Sequence, residues 1–359
     1  MVTSSFAMAM LSSWAAVTAA KPCTRSQASS TNTTIQTIYQ FPANTYVENL
    51  AVRANGQLLL DVFTSPQLWL VDPQLPGEAV LVHEFPDALG ITGIAEYDDD
   101  VFAVLAGNFS FATGECTKGS WSIWSVDLGG VVINSAADLV ASPPKISKLA
   151  DVPAATCLNG IDLLSGGGAK KFLMAGDIRT GEIYAVDIDT GAAVVTIDNT
   201  VAQTLPAVTY GFGSVATDGL RVRDSDLYFS NVGRGLLVKI PLNPDDGTPA
   251  GEAQTVGQSL SSLDQWDDFA IDCDGNVFMA TGGSNTVQRV TPDGHVAIVA
   301  GDLNSTAIAE PASARFGRRP DDSNVLYVTT AGGMVAPING DTVVGAQVLV
   351  IRTNATSIC

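Results

Sequence analysis

The chain has 359 residues, of which 46% are hydrophobic and only 15% charged, with 34 Gly and 17 Pro. That balance suits many short buried strands joined by tight turns and disfavours long surface helices. The formal net charge of −19 excludes a phosphate-binding surface, which needs clustered Lys and Arg, and so speaks against nucleic acid or an anionic membrane as partner.

Residues 1–20 carry no charge, run apolar through Phe6 to Leu11 and Trp14 to Val17, and end in small residues before Lys21. They read as a signal peptide, leaving 21–359 as a single domain that is secreted or held in the secretory lumen. No later run is apolar for long enough to make a membrane anchor. The sequons at Asn32, Asn108, Asn304 and Asn354 read as glycosylation sites of such a protein. Five cysteines show no Cys-x-x-Cys spacing, so disulfides are expected and a zinc site is not. The expected pairs are Cys23 with Cys359, tying the termini, and Cys116 with Cys157, with Cys273 left as a buried thiol.

Beyond Thr34–Phe41, which reads as an isolated strand, one unit recurs six times: a short apolar strand, a turn, a strand rich in Leu, Val, Phe and Tyr, a Gly turn, and a third strand. The units open at Glu48, Thr92, Asn159, Asp218, Asp267 and Ala312, so they start 44 to 67 residues apart. That spacing matches the four-stranded blades of a propeller. Asn55-Gly56, Asp274-Gly275 and Asp293-Gly294 supply hairpin turns at the right points. The expected fold is therefore all-β, a six-bladed β-propeller, with Thr34–Phe41 completing the last blade beside Gln347–Ile351 and removing the open edge.

In a propeller the innermost strand of each blade lines the central channel, so one repeat position gathers six residues round the axis. Here that ring holds Glu48, Asn159, Asp218 and Asp267 beside Thr92 and Ala312. Clustered carboxylates repel one another unless a cation lies between them. An all-oxygen set suits calcium, magnesium or manganese, and Asp and Asn capping strand entrances is the plainer alternative.

These stretches carry a resemblance. Glu48-Asn-Leu-Ala-Val, Asn159-Gly-Ile-Asp-Leu, Met174-Ala-Gly-Asp, Asp218-Gly-Leu, Leu227-Tyr-Phe-Ser-Asn, Asp267-Asp-Phe-Ala-Ile-Asp and Leu326-Tyr-Val-Thr resemble the gluconolactonase and senescence-marker-protein family of six-bladed propellers, over about residues 40 to 352. The resemblance implies that a Glu, two Asn and an Asp hold a divalent metal, and that the Asp is also the base. Glu48, Asn159 and Asp267 match that pattern; Asp218 stands where the family has Asn, and Asn49-Leu50 where it has Gly-Pro.

The acidic, sequon-bearing chain with Val47-Glu-Asn and Asp267-Asp-Phe-Ala also looks like the fungal hetero-Diels-Alderases of tropolone–sesquiterpenoid biosynthesis. Those join an o-quinone methide to a humulene-type alkene, both small molecules, and need no cofactor for cycloaddition. Such chemistry asks for an apolar cavity and a few donors on the enone oxygen. Asp267 and Glu48 are then the catalytic candidates, and Tyr46, Asn49, Tyr210 and Trp266, with Phe212 nearby, the substrate-contact candidates, while Phe269 falls in the slot between blades and reads as core.

Other enzyme classes find no support. His83 and His295 sit in strand and turn contexts, and there is no Gly-x-Ser-x-Gly, His-Glu-x-x-His or phosphate-binding glycine loop. Three readings remain open: a metal-free cyclase, a divalent-metal-dependent lactonase, and a non-catalytic ligand-binding propeller. Nothing in the sequence speaks to oligomeric state.

Overall fold

The computed structural model describes residues 33–165, 170–198 and 213–359, and in them the six repeats are six four-stranded antiparallel sheets. In blade 1 the chain runs outward from the axis through Val47–Val52, Leu58–Val62, Gln67–Val71 and Ala79–Glu84. The inner strands of blades 2 to 5 are Gly90–Asp98, Leu158–Ser165, Thr217–Arg223 and Trp266–Ile271. Blade 6 begins at Pro311–Phe316, continues through Val325–Thr330 and Gly345–Arg352, and takes its outermost strand, Ile35–Ala43, from the other end of the described chain. That strand pairs antiparallel with Gly345–Arg352, from Ile35 opposite Ile351 to Ala43 opposite Gly345. Each inner strand touches the next, and the sixth touches the first, so the ring is closed and the last blade is finished by a strand from far away in sequence.

The core lies between blades. Val47, Leu50, Leu58 and Leu60 of blade 1 pack on Ile38, Tyr327, Ala346 and Val348 of blade 6, and Leu237 of blade 4 packs on Trp266, Phe269 and Met279 of blade 5. This packing corrects one expectation. Trp266 is fully buried, its Nε1 donating to Gln288 Oε1 at 2.9 Å, because its side chain turns between the blades rather than toward the mouth.

The inner strands share an irregularity. Each carries one extra residue relative to its neighbour, in the bulge that contains Glu48, Thr92, Asn159, Asp218, Asp267 or Ala312. A bulge re-aims side chains locally, so the ring position sits where every inner strand bends. The residue after it is Gly93, Gly160 or Gly219 in blades 2 to 4. A Cβ there would lie 2.1 Å from Asn159 O, 2.2 Å from Asp218 O or 2.4 Å from Asp268 Cα, so only glycine lets these strands close on one another.

Two disulfides are present among the described residues. Cys116 bridges to Cys157, with Cα atoms 5.6 Å apart. Cys359 bridges to Cys273 at a Cα separation of 5.1 Å, so neither the Cys23–Cys359 pair nor a free Cys273 thiol holds. The reason is the path of the C-terminal segment, which crosses the first turn of blade 5 and accepts the Cys273 amide on Thr356 O at 2.8 Å. Cys23, Asn32, Tyr210, Phe212 and the 1–20 segment lie outside the described residues. Among the described residues no helix is long and apolar enough to cross a membrane, and the two disulfides fit an oxidising compartment.

Candidate functional site

The bulges bring three acids together. Carboxylate oxygens of Glu48, Asp218 and Asp267 all lie within 4.8 Å of one another, on blades 1, 4 and 5. Asn159 of blade 3 joins them, its Nδ2 donating to Glu48 Oε1 at 2.7 Å. Glu48, Asn159 and Asp218 are buried and Asp267 is half-buried. Glu48 Oε2 and Asp218 Oδ1 are buried with no hydrogen-bond partner. The four acidic and amide positions read from the repeat thus meet at one place.

Their electrostatics follow from burial among like charges. Burial raises the Glu48 carboxyl to about 7, with Asn159 and Tyr46 offsetting part of the shift and Asp268 and Glu310 adding to it. Asp218 is pushed well above the usual carboxylate range by burial and then by Glu48. Asp267 moves the same way through burial, Asp218 and Glu48. Tyr46, one residue before the inner strand of blade 1, is buried above the ring, and burial together with Glu48 keeps its hydroxyl protonated. The cluster therefore holds protons near neutral pH or gives them up to a cation.

Other members carried little sequence signal. Glu310 precedes the blade 6 inner strand at φ 54°, and its carboxylate accepts the amides of Val335 at 3.0 Å and Ala336 at 2.8 Å. Burial still lifts it to about 7. Beneath the ring, Asp268 Oδ2 accepts Asn49 Nδ2 at 2.7 Å and Arg221 Nη2 at 2.5 Å, with Ser313 Oγ at 3.2 Å. This corrects the reading of Asn49 as a substrate contact. Its Nδ2 is bonded to Asp268 and its Oδ1 to the Leu50 amide and Ser313 Oγ, so it braces the floor.

Phe269 is core between blades, as its repeat position implied, and the aromatic cluster packed beside the ring is Tyr46, Phe63, Phe109 and Phe111, the first three buried. Phe63 lies 4.7 Å from Phe109 and 4.9 Å from Phe111, and Tyr46 lies 5.6 Å from Phe63, centroid to centroid. Phe109 and Phe111 come from a hairpin inserted in blade 2, Phe109–Ser110 paired with Glu115–Cys116. The Cys116–Cys157 bridge holds it to the residue just before the inner strand of blade 3, and Arg179 Nη2 donates to Gly114 O at 2.7 Å. The repeat Phe109-Ser-Phe111 was the only available clue.

The remaining candidates fall outside the mouth. His83 lies on the outermost strand of blade 1 against Phe85, at 4.8 Å, and His295 is exposed in a turn. Asn304 and Asn354 are exposed, whereas Asn108 is half-buried at the base of the hairpin.

With the ring of inner-strand acids at one end of a six-bladed β-propeller in view, residues 168–332 are found to match the model of the SMP-30/Gluconolactonase/LRE-like region. Two curated relatives are similar along most of the chain. One, from Phoma sp., is provisionally named a hetero-Diels-Alderase and is 29% identical over 81% of this chain and 85% of its own length. The other, asR5 of Sarocladium schorii, bears the same provisional name and is 25% identical over 88% of this chain and 82% of its own. Among solved structures, a luciferin-regenerating enzyme superposes with a TM-score of 0.63 at 13% identity, covering 91% of this chain and 98% of that one, a likeness of fold.

Proposed function

We propose that this protein is a secreted pericyclic cyclase of secondary metabolism, an intermolecular hetero-Diels-Alderase that joins a tropolone o-quinone methide to a humulene-type sesquiterpene. The observation that carries the reading is an aromatic cluster, Tyr46, Phe63, Phe109 and Phe111, packed beside carboxyl groups whose pKa burial raises. The names of both curated relatives point the same way.

The cycloaddition forms one C–C and one C–O bond from the enone and the alkene, and no atom enters or leaves. No nucleophile is required. The protein's part is to hold the two partners face to face and to donate a hydrogen bond to the enone oxygen, whose negative charge grows as the bonds form. Tyr46 and a protonated Glu48 or Asp267 would be the donors, and the aromatic cluster beside them would give the sesquiterpene an apolar neighbour.

A second reading is favoured by one observation, the buried unpartnered oxygens Glu48 Oε2 and Asp218 Oδ1 in a set of three mutually close carboxylates. They fit a hard divalent cation such as calcium, magnesium or manganese, held by Glu48, Asp218 and Asp267 with the Asn159 amide beside them. Bound there, the cation would polarise a lactone carbonyl and acidify a water, and Asp267 or Glu48 would take the proton.

The deciding assay generates the quinone methide in the presence of a humulene-type alcohol, with and without a chelator. One stereoisomer formed at an undiminished rate under chelation supports the cyclase. Hydrolysis of aldonolactones that needs added divalent metal, with no acceleration of cycloaddition, overturns it in favour of the lactonase. Saturable binding of the terpenoid with neither activity leaves a ligand-binding propeller.

A further inference from the structure

The channel has a second, chemically different end. Three residues past each bulge position, the inner strands carry Ala51, Ala95, Asp162, Arg221, Ala270 and Arg315. Ala51 and Ala95 leave space, and a cavity of about 260 Å³ opens there, walled by Val52, Ile94 and Phe316 with Arg315, Arg318, Asp162 and Glu96 as its polar members. It lies beyond the Asn49–Asp268–Arg221 floor, away from the acid ring.

The cations of this region differ in how they are satisfied. Arg221 is paired with Asp268, and Arg318 with Glu96 while also donating to Val52 O at 3.0 Å. Arg315 forms no ion pair with a described residue. Its Nε reaches Leu50 O at 3.3 Å and its Nη2 only Ile94 O at 3.5 Å, both long for a charged donor. Asp162 offsets that charge through space alone, because its own oxygens accept the amides of Leu163 at 3.0 Å and Val222 at 2.8 Å. Asp61, the acid above, has neither oxygen hydrogen-bonded and is kept protonated by burial. Burial and the neighbouring Arg221 push the Arg315 guanidinium down to about 10, the sign of a cation short of partners.

A planar guanidinium with free N–H donors facing an apolar-walled cavity is the recognition element for a carboxylate. We propose that this cavity is a second binding site, one that takes a small monocarboxylate, its carboxylate on Arg315 and its apolar body against Val52, Ile94 and Phe316. The site is independent of the activity proposed above. With Asp162 nearby, affinity is expected on the order of 1 mM, and the cavity suits acids from acetate to benzoate.

The test is thermal unfolding and titration calorimetry of the whole protein with benzoate, and with benzamide as the uncharged isostere. Benzoate should bind one-to-one and raise Tm by about 2 °C at ten times its dissociation constant, while benzamide should do neither. Arg315→Met should abolish the benzoate response and leave the unliganded Tm equal to or above wild type, since it removes a half-buried cation that has no ion-pair partner among the described residues. If the variant does not fold, the benzoate–benzamide contrast on the wild-type protein still decides. A benzoate response that never saturates, is matched by benzamide, or persists in a folded Arg315→Met protein overturns the proposal.

Discussion

Asp268 is the residue on which the floor of the acid ring depends. One oxygen collects Asn49, Arg221 and Ser313 from three different blades, and both it and Arg221 are almost wholly buried. Removing one member of such a pair leaves the other charged and dry, which costs about 3–5 kcal/mol. Arg221→Met should therefore destabilise by that amount in urea unfolding, and Arg221→Met with Asp268→Asn should recover at least half of it. Equal losses in the single and double variants would mean that the pair is not a unit. Tyr46→Phe probes a different property. It keeps the ring in the aromatic wall and deletes one neutral donor, so unfolding free energy should change by less than about 1.5 kcal/mol. Under the cyclase reading the turnover rate should fall by roughly tenfold, the equivalent of one neutral hydrogen bond.

The hairpin of blade 2 is the element that packs an aromatic cluster beside the acid ring. It touches the body of the protein through Phe109 and Phe111, through Arg179, and through the Cys116–Cys157 bridge, which closes a loop of 41 residues. Loop-closure entropy assigns such a bridge about 4 kcal/mol. Cys116→Ser with Cys157→Ser should lower unfolding free energy by up to that amount and loosen the packing of Phe111 on Tyr46, read as weaker near-ultraviolet circular dichroism. Unchanged stability and spectrum would mean that the aromatic contacts alone hold the hairpin.

Elements of this kind mark the limit of what the sequence discloses. The blades were legible because each must repeat the same apolar pattern and turn chemistry, and the ring acids because one repeat position fixes one place in space. The Cys116–Cys157 bridge was legible as well. The hairpin was not, since it is an insertion that follows no repeat. Asn49 and Trp266 were misassigned because a bulge reverses which neighbours face the channel, and periodicity does not reveal a bulge. Glu310 enters from a loop, and the Cys273–Cys359 bridge depends on where a C-terminal segment without regular structure comes to rest.

At the scale of the whole molecule, the buried acids set how stability responds to pH. Glu48 and Glu310 both rise from ordinary carboxyl values to about 7 in the fold, and Asp218 and Asp267 shift in the same direction. Between pH 4.5 and 7 the folded protein keeps protons on Glu48 and Glu310 that the unfolded chain has already released. Folding stability is therefore greatest near the unfolded carboxyl pKa and falls as pH rises toward the folded one, by up to about 1.4 kcal/mol per pH unit for each group. The net charge of −19 adds self-repulsion of the same sign, so the two contributions must be separated. Glu310→Gln removes one titrating site and, on the charge-matched background of a surface change such as Asp341→Asn, isolates its share. The Tm of metal-free protein should drop between pH 5 and pH 7.5, and Glu310→Gln should flatten that drop more than Asp341→Asn does. Millimolar calcium or magnesium should restore Tm at pH 7.5 and not at pH 5 if the ring of Glu48, Asp218 and Asp267 takes a cation in its deprotonated form. A Tm that rises over the same interval would mean that these carboxyls are ionised in the fold, and the donor role assigned to them would fall with it.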